Sequence, residues 1–460
     1  MTLIKSISGI RGTIGGKPGE TLSPLDVVKF SSAFGMWVKA QHQSPKLVIG
    51  RDARPSGESI ANLISHTLMA QGIDVLDLGL STTPTVEMAV LMEQAQAGII
   101  ITASHNPAGW NALKLLNDQG EFISKEDGKK VLEWAESDDL EFVEPKKYGT
   151  YRTDDTYIDQ HIQKVLEHEL VDIEAIQAKK FKVVVDAVNS TGGLAVPKLL
   201  KALGAEVHEM FCEPNGQFPH NPEPLPENLT QISQELEAGQ YDLGIVVDPD
   251  VDRLVLMCED GQSFGEEYTL VAVSDYVLGK KLGNTVSNLS STRALRDVTE
   301  KLGGEYFAAA VGEVNVVEKM KEVQAVIGGE GNGGVILPDL HYGRDALAGI
   351  ALFLSHLAAY GKSTSMLRST YPNYHISKNK LELGPEIDVD GILEALKEKY
   401  KNQPVNTIDG VKIEFDREWV QLRKSNTEPI IRIFAESESA ATAEHLANKI
   451  IMDIKEFMTS

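Results

Sequence analysis

Three stretches of this chain share one order of features, and this repeat limits the possible folds more than any other property. They begin at Lys46, Lys182 and Asn284, and each reads as a short apolar strand, a polar loop, a helix and a second strand. Each helix ends near a glycine, which suits the left-handed position that stops a helix. Units of this kind pair their strands in parallel through right-handed crossovers. We therefore predict three related α/β domains, with one large sheet as the alternative.

Composition marks where these units end. The chain has 460 residues, which is too long for one ordinary core. A charged helix ends the first unit, and an Asp-Gly turn after an apolar strand opens the third. The last part has alternating strands and an amphipathic helix, which is an α+β pattern. We predict α/β domains with mixed sheets at 1–150, 151–255 and 256–370, and a smaller α+β domain at 371–460.

Charge and cysteine content exclude several functional classes. A net charge of −23 argues against a nucleic-acid-binding or anionic-membrane-binding surface. The two cysteines, Cys212 and Cys258, form no metal or disulfide pattern and indicate reduced thiols in the cytoplasm. We see neither a signal peptide nor an apolar run long enough for a membrane span.

The segment DPDVDR carries the sharpest chemical signal. Asp248, Asp250 and Asp252 alternate directly after an apolar strand, so an extended backbone would place their carboxylates on one side. Three such charges repel unless a cation lies among them, and carboxylates plus a substrate phosphate suit Mg²⁺. Three alternatives stay open: a calcium loop, which Arg253 at its glycine position disfavours, a phosphorylated aspartate of the haloacid-dehalogenase kind, and a solvated acidic turn.

The segment TASHNP places a hydroxyl and an imidazole at the end of another apolar strand. Ser104 and His105 precede a turn-forming Asn-Pro, and ligands of α/β folds gather at the carboxyl ends of strands. Serine is a weak nucleophile unless it is activated or already esterified. Lys114 follows in an otherwise apolar run, either as a snorkelling surface residue or as a lysine poised for proton transfer. An ordinary polar loop is the alternative for the whole segment.

Three further segments carry weaker signals. RKSNTEP is either a polar hairpin tip or a set of donors that grip phosphate. Its candidate phosphate-binding residues are Arg423, Ser425, Asn426 and Thr427. GEGNGG places Glu330 and Asn332 among glycines that permit close approach of a ligand, where they could hydrogen-bond to sugar hydroxyls. Arg11 lies in a glycine-bounded turn near the N-terminus.

Together and in order, these segments resemble the α-D-phosphohexomutase family over essentially the whole chain. SGIRGT is similar to the family's arginine loop, TASHNP to its phosphoserine loop, DPDVDR to its magnesium loop and RKSNTEP to its phosphate clamp. GEGNGG stands where the family has a sugar-recognition loop of the GExSG type. The resemblance implies four domains around a central active-site cleft. We expect a monomer or a homodimer that contacts neither nucleic acid nor membrane.

The resemblance also implies roles for single residues. Ser104 would be the phosphorylated nucleophile and would hold Mg²⁺ together with Asp248, Asp250 and Asp252. The other residues implied at the transfer site are Arg11, His105, Lys114 and Arg253, with Lys114 as the candidate general acid or base. Glu330 and Asn332 would hold the 3- and 4-hydroxyls of the sugar. The residues implied at the non-reacting phosphate are Arg423, Ser425, Asn426 and Thr427.

The implied reaction moves phosphate between C6 and C1 of a hexose. Phosphoserine would give its phosphoryl group to a hexose phosphate, and the bisphosphorylated sugar, which also serves as activator, would turn round and return the other phosphate. Loops such as AVGEVNV favour glucosamine phosphates, with mannose and glucose phosphates second and a phosphoenzyme-forming sugar phosphatase as a distant alternative. The chain departs from the family pattern at Gly334, where many members have His, and at Asn332, which replaces the usual Ser. Both departures concern the sugar.

Overall fold

The computed structural model describes residues 2–6, 9–137, 139–382, 387–424 and 430–459. These residues form four β-sheets, each made by one continuous part of the chain. The predicted fold class is confirmed, since three parts of the chain are mixed α/β units and the last is a smaller α+β unit. Within the described ranges, no helix is long and apolar enough to cross a membrane.

The first unit, domain I, is a seven-stranded sheet in the order β1-β2-β6-β5-β3-β4-β7 with four helices. Its strands are β1 (Ile4–Ser6), β2 (Gly9–Thr13), β3 (Lys46–Arg51), β4 (Asp74–Leu80), β5 (Ala97–Ile101), β6 (Trp110–Leu116) and β7 (Tyr151–Thr153). Its helices are α1 (Pro24–Lys39), α2 (Gly57–Ala70), α3 (Thr83–Met92) and α4 (Lys125–Glu136).

Domains II and III each contain a four-stranded sheet. Domain II contains β8 (Lys182–Asp186), β9 (Glu206–Met210), β10 (Leu243–Val247), β11 (Leu254–Cys258), α5 (Tyr157–Leu166), α6 (Ile173–Lys179), α7 (Gly192–Ala202) and α8 (Thr230–Ala238). Domain III contains β12 (Asn284–Asn288), β13 (Tyr306–Ala309), β14 (Ala325–Glu330), β15 (Gly334–Ile336), α9 (Glu266–Lys280), α10 (Ala294–Leu302), α11 (Glu313–Glu322), α12 (Ala346–Tyr360) and α13 (Thr364–Arg368).

Domain IV is an antiparallel sheet in the order β16-β20-β19-β18-β17, covered by two helices. Its elements are β16 (His375–Glu382), β17 (Val405–Asn406), β18 (Val411–Glu414), β19 (Trp419–Lys424), β20 (Ile430–Ser437), α14 (Val389–Lys399) and α15 (Ala440–Thr459). The predicted boundaries at residues 150, 255 and 370 stay predictions.

The three α/β sheets share one four-strand pattern. The orders β6-β5-β3-β4, β11-β10-β8-β9 and β15-β14-β12-β13 each contain three parallel strands and one antiparallel edge hairpin. In each pattern, the strand that comes first along the chain is β3, β8 or β12. These strands begin at Lys46, Lys182 and Asn284, the three repeat starts predicted from the sequence. The repeat in the sequence therefore corresponds to a repeat in sheet topology. Each repeated sheet also has an antiparallel hairpin at one edge, in addition to the predicted parallel strands.

The hydrophobic cores divide the molecule differently from the sheets. Domains II and III share one continuous core, which includes the almost entirely buried helix α12. Domain IV has a core of its own, formed by residues such as Leu396, Ile433 and Ile450. Apolar packing thus joins domains II and III closely, whereas the core of domain IV is separate.

Candidate active site

The antiparallel hairpins of the three α/β domains carry the three loops singled out in the sequence. Ser104 lies between β5 and β6, the three aspartates lie between β10 and β11, and Glu330 ends β14 next to the turn into β15. Each hairpin reverses at the carboxyl end of a strand paired in parallel, the edge where α/β folds bind ligands. Equivalent positions in three related sheets therefore supply a hydroxyl, a cluster of three carboxylates and a single carboxylate.

Ser104 meets the aspartate loop of domain II. Its hydroxyl donates a hydrogen bond to Asp248 Oδ2 over 2.7 Å, across 144 positions of sequence. The residue is 7% exposed and has a φ of 48°, in the left-handed region that non-glycine residues seldom adopt. The loop thus holds the Ser104 hydroxyl against a buried carboxylate at some cost in backbone strain.

A buried arginine holds the serine loop in this shape. The guanidinium of Arg54 donates to the backbone oxygens of Asn106 over 2.6 Å and of Trp110 over 3.0 Å, and also to that of Ser104. Its charge is balanced by Asp52, 2.9 Å from Arg54 Nε. Such a fork of donors can bind several loop carbonyls at once, so it fixes a loop that has no regular secondary structure.

The three aspartates of domain II form a buried acidic cluster. Asp248, Asp250 and Asp252 are fully buried, and one oxygen from each lies within 4.8 Å of the others. Burial and the two neighbouring carboxylates raise the pKa of Asp248 well above its ordinary value. One oxygen each of Asp250 and Asp252 is buried, and no described residue hydrogen-bonds to it. Unpaired buried oxygens among like charges make this a candidate cation site.

Lys114 lies beside this cluster rather than at the surface. Its ammonium is 2.7 Å from Asp250 Oδ2 and 3.4 Å from Asp252 Oδ2. Burial lowers the pKa of Lys114, but these two carboxylates outweigh burial and leave the pKa above its ordinary value. Lys114 is therefore protonated at neutral pH and can donate a proton or balance charge at this site.

His105 and Arg253 form a pair next to Ser104. Arg253 Nη2 donates to His105 Nδ1 over 2.9 Å, and the Ser104 hydroxyl lies 3.4 Å from the same nitrogen. Burial and the Arg253 charge lower the pKa of His105 to about 3. The imidazole is therefore neutral at neutral pH. Because Arg253 engages its Nδ1 lone pair, the shorter hydrogen bond of Ser104 goes to Asp248.

The sugar-loop residues line a cavity between domains III and IV. Glu330, Asn332, Gln421 and Arg423 all lie on its wall. Burial raises the pKa of Glu330, but the Arg344 guanidinium and hydrogen bonds outweigh burial, so the pKa is below its ordinary value. The structure therefore brings Glu330 and Asn332 together with Arg423, and Glu330 presents an ionised carboxylate there.

Two arginines of domain IV face each other across neighbouring strands of this wall. Arg423 on β19 pairs directly with Arg432 on β20, and both line the cavity. Among the described residues, the carboxylate near Arg423 Nη1 is that of Asp409, whose Oδ2 lies at 3.2 Å. Like charges directly opposite in a sheet repel. The predicted Ser425, Asn426 and Thr427 lie outside the described residues.

Arg11 of domain I faces the same region. It lies on β2, and burial together with the positive charge of Arg432 lowers its pKa from the ordinary value. Its Nε is buried and has no hydrogen-bond partner among the residues that the structure describes. Arginines from domains I and IV are thus close enough to repel through space, and an anion between them would be stabilised.

Comparison with known proteins gives the same four parts in the same order. Residues 3–141, 155–261 and 265–374 match the descriptions "Phosphoglucomutase/phosphomannomutase, alpha/beta/alpha domain" I, II and III. Residues 385–452 match the C-terminal domain described for the same proteins. The chain belongs to the phosphoglucomutase/phosphomannomutase family. It is thus a member of an enzyme family of hexose phosphate mutases.

Relatives within this family are similar over nearly their whole length. A phosphoglucomutase/phosphomannomutase of Thermococcus kodakarensis is 36% identical over 94% of this chain and 95% of the relative. A probable phosphoglucosamine mutase of Methanopyrus kandleri is 33% identical over 96% of both chains. The crystal structure of a family protein from Burkholderia thailandensis superposes with a TM-score of 0.86 at 28% identity, over 99% of this chain and 98% of that one.

Sequence reasoning missed several residues that shape this family's site here. They are Arg54, Thr83, Glu313, Arg344 and Arg432. Thr83 begins α3 and donates its hydroxyl to Asp250 Oδ2 over 2.6 Å. The only sequence signal was a charged or hydroxyl residue next to a strand or helix end. Many exposed loops have that signal too, so it could not single these residues out.

Proposed function

We propose that this hexose phosphate mutase interconverts glucosamine 6-phosphate and glucosamine 1-phosphate through a phosphoserine at Ser104. The observation that carries the proposal is the 2.7 Å hydrogen bond from Ser104 to Asp248 in a buried acidic cluster. A serine that only shaped a loop would not need a contact to this cluster from another domain. Glucose and mannose phosphates are the alternative substrates.

The reaction consists of two phosphoryl transfers. In the first, the free C1 or C6 hydroxyl oxygen of the hexose phosphate attacks the phosphorus of phospho-Ser104, the bond to Ser104 Oγ breaks, and Ser104 Oγ gains the proton that the sugar hydroxyl loses. In the second, the Ser104 hydroxyl oxygen attacks the other phosphorus of the bisphosphorylated hexose, the bond from that phosphorus to the sugar oxygen breaks, and the sugar oxygen gains the proton that Ser104 loses; the same step can reload an unphosphorylated enzyme. Lys114 is protonated and would balance charge near the cluster, where it is the candidate to relay the proton between the two oxygens. His105 is neutral and would help to orient Arg253 on the phosphoryl group.

The acidic cluster fits Mg²⁺. Its two unpaired carboxylate oxygens, on Asp250 and Asp252, are hard ligands of the kind this ion prefers. Asp248, Asp250, Asp252 and an oxygen of phospho-Ser104 would hold it. When bound, Mg²⁺ would neutralise charge that develops on the transferring phosphoryl group.

The cavity between domains III and IV would hold the rest of the substrate. Glu330 and Asn332 would bind sugar hydroxyls, and Arg423 with Arg432 would bind the phosphate that does not react. A phosphate between these two arginines would relieve the repulsion of their cross-strand pair. Because the intermediate must bind in both directions, these arginines would recognise phosphate rather than the sugar ring.

The amino sugar is favoured by a second carboxyl group on the cavity wall. Glu267 is half-buried and lines the cavity together with Glu330, and burial raises the pKa of its carboxyl group well above the ordinary value. An ammonium group on the sugar would stabilise the ionised form of Glu267 and offset that rise, which a sugar hydroxyl would not do. The relatives have names of both substrate types. We further propose that the enzyme works in the cytoplasm as a monomer or homodimer, and its two cysteines, which are free thiols, are consistent with a reducing compartment.

The deciding experiment measures kcat/KM for glucosamine 1-phosphate, glucose 1-phosphate and mannose 1-phosphate, with Mg²⁺ and a trace of bisphosphorylated hexose. We expect a preference of about tenfold or more for glucosamine 1-phosphate, which is about 1.4 kcal/mol of transition-state discrimination. Faster turnover of glucose and mannose phosphates would favour the alternative substrates. Release of inorganic phosphate faster than isomerisation would indicate a phosphatase instead.

A further inference from the structure

Arg344 joins three carboxylates that come from three separate segments. Its Nη2 donates to Asp252 Oδ2 over 2.7 Å and its Nε to Glu313 Oε2 over 2.9 Å, while Nη1 forms an ion pair with Glu330 Oε2 at 3.1 Å without hydrogen-bond geometry. The side chain is 9% exposed. Asp252 belongs to the aspartate loop of domain II and Glu330 to the sugar loop of domain III. One buried guanidinium therefore bridges the candidate metal site and the candidate sugar site.

Gly334 leaves the space through which the Arg344 side chain passes. A Cβ atom on residue 334 would lie 2.3 Å from Arg344 Cδ and 3.0 Å from Cγ, closer than real Cβ contacts. Two hydrogen-bonded carboxylates and the ion pair with Glu330 hold the guanidinium, so the stem between backbone and head has little freedom to move. Gly334 lies in β15 and is not left-handed. The close approach of Arg344, rather than backbone strain, therefore accounts for a glycine at this position.

We propose that Arg344 is a positioning residue that occupies the place of the histidine found at position 334 in many family members, and that it holds Glu330 and Asp252 in one fixed arrangement. The proposal rests on the proposed function for the roles of Glu330 and Asp252. A planar guanidinium suits this task because its nitrogens point in fixed directions, so it can hold several carboxylates at set angles. An ammonium or an imidazole offers no such fork to three carboxylates.

The first test is Arg344→Lys, which keeps the buried positive charge and loses the fork. We expect a fall in kcat of about tenfold or more and a rise in KM, because both carboxylates lose their fixed geometry. We also expect the dissociation constant of Mn²⁺, titrated by calorimetry against the full chain, to rise about fivefold or more. The matched control is Arg368→Lys, because Arg368 is also packed and hydrogen-bonded but stacks on Tyr268 away from the site. We expect Arg368→Lys to leave kcat, KM and the dissociation constant of Mn²⁺ unchanged.

The second test is Gly334→Ala, which places a methyl group against the arginine stem. We expect it to weaken Mn²⁺ binding and lower kcat in the same direction as Arg344→Lys, although alanine carries no charge. The control is Gly279→Ala in α9, where a Cβ atom would meet nothing within 4 Å. In an Arg344→Ala background, Gly334→Ala should shift Tm by much less than it does alone, because the atoms it would strike are gone.

Two results would overturn the proposal. One is Arg344→Lys with Mn²⁺ affinity, kcat and KM all within twofold of the parent, whatever its Tm, since a purely structural arginine would give that pattern. The other is Gly334→Ala that behaves like Gly279→Ala. If the parent chain isomerises no hexose phosphate, the proposed function fails, but the Mn²⁺ titrations and the Tm comparison still decide whether Arg344 couples the two loops.

Discussion

Ser104 and Arg423 lie at opposite ends of the proposed substrate site, and the chain holds them by different means. Around Ser104, domain I has apolar clusters of its own and meets the aspartates of domain II through buried contacts of the Ser104 and Thr83 hydroxyls and the Lys114 ammonium. Around Arg423, domain IV has its own core and meets domain III through polar contacts. Those contacts include Ser290 to Gln421 at 2.7 Å, Arg296 to Glu414 at 2.7 Å and Lys412 to the Leu289 carbonyl at 2.8 Å.

This difference corresponds to two demands of the proposed reaction. Phosphoryl transfer needs atoms held within a few tenths of an ångström, which the buried hydrogen bonds and ion pair between domains I and II provide. The distal phosphate site must release and rebind an intermediate that turns round. A domain with a separate core and a polar interface can move relative to its neighbour at smaller cost. Changes at the Ser104 end should therefore affect kcat, and changes at the Arg423 end should affect KM.

The largest expected effect is that of Ser104→Ala. Without the hydroxyl no phosphoserine can form, so we expect mutase turnover to fall by about 10³-fold or more, measured as conversion of 1-phosphate to 6-phosphate. The matched control is Ser137→Ala, since Ser137 is exposed and its hydroxyl contacts nearby backbone, donating to the Trp134 carbonyl and accepting from the Asp139 N–H.

Substantial residual turnover in Ser104→Ala would contradict the nucleophile assignment. The chemical stability of the phosphoenzyme gives an independent check. A phosphoserine should survive hydroxylamine, whereas an acyl phosphate on Asp248 should not. Loss of the enzyme-bound phosphoryl group in hydroxylamine would place that group on the aspartate loop instead.

Removal of divalent metal should have the next largest effect. The acidic cluster would lose the cation that balances it, so we expect chelation to reduce kcat by about 100-fold or more and Mg²⁺ to restore it. The measurement is turnover during titration of chelator and then of Mg²⁺. Full activity in excess chelator would show that Lys114, Arg253 and Arg344 suffice to balance the charge of the aspartates.

Arg423→Ala tests the other end of the site. Loss of charged hydrogen bonds to the distal phosphate should raise KM by roughly 30- to 100-fold, about 2–3 kcal/mol, with a smaller effect on kcat. The control is Arg417→Ala in the same domain, where the arginine is exposed and pairs with Glu438. An unchanged KM for Arg423→Ala would remove Arg423 from the phosphate site, and a fall in kcat alone would end the proposed division between the two ends.

Sequence reasoning could predict the loops because each has a strong local signal. Alternating aspartates after an apolar strand, and a serine before Asn-Pro, mark strand ends that carry chemistry. The repeat starts predicted three similar sheets, and the structure has them. The sequence could also show that Lys114 was unusual in an apolar run, but it left two interpretations open. Only the structure shows that its partners are Asp250 and Asp252.

The residues that sequence reasoning missed act across domains or long loops. Arg54 looks like any charged residue in a polar turn, yet it is 1% exposed and binds carbonyls some 50 positions away. Arg344 meets Asp252 across 92 positions. No local pattern can predict such burial, because it depends on which distant carboxylates the fold brings together. Gly334 is explained by the same long-range packing, because the Arg344 side chain passes against it. The sequence alone shows Gly334 only as a departure from a family pattern.

The smallest expected effect tests the polar junction of domain IV through Lys412. Its side chain is buried, its ammonium lies 3.9 Å from the centre of the Trp419 ring, and it donates to the Leu289 carbonyl of domain III. Burial lowers the pKa of Lys412 to about 8, although Glu414 and Glu436 oppose this shift. Because the unfolded chain then binds more protons than the folded one above this pKa, Lys412 makes stability rise with pH, by about 1 kcal/mol between pH 7 and 9.

Lys412→Met should remove that rise, and urea unfolding of parent and variant at pH 7, 8 and 9 measures it. The quantity to compare is the difference in unfolding free energy between the parent and Lys412→Met at each pH, since the other groups titrate in both proteins. Lys401→Met is the control, because Lys401 is exposed and pairs with Glu398 in the same domain. If parent and Lys412→Met keep a constant difference in unfolding free energy over this range, Lys412 is not buried in the junction. Water would then reach the contact between domains III and IV more freely than the structure indicates. The difference between this contact and the buried contacts around Ser104 would be larger.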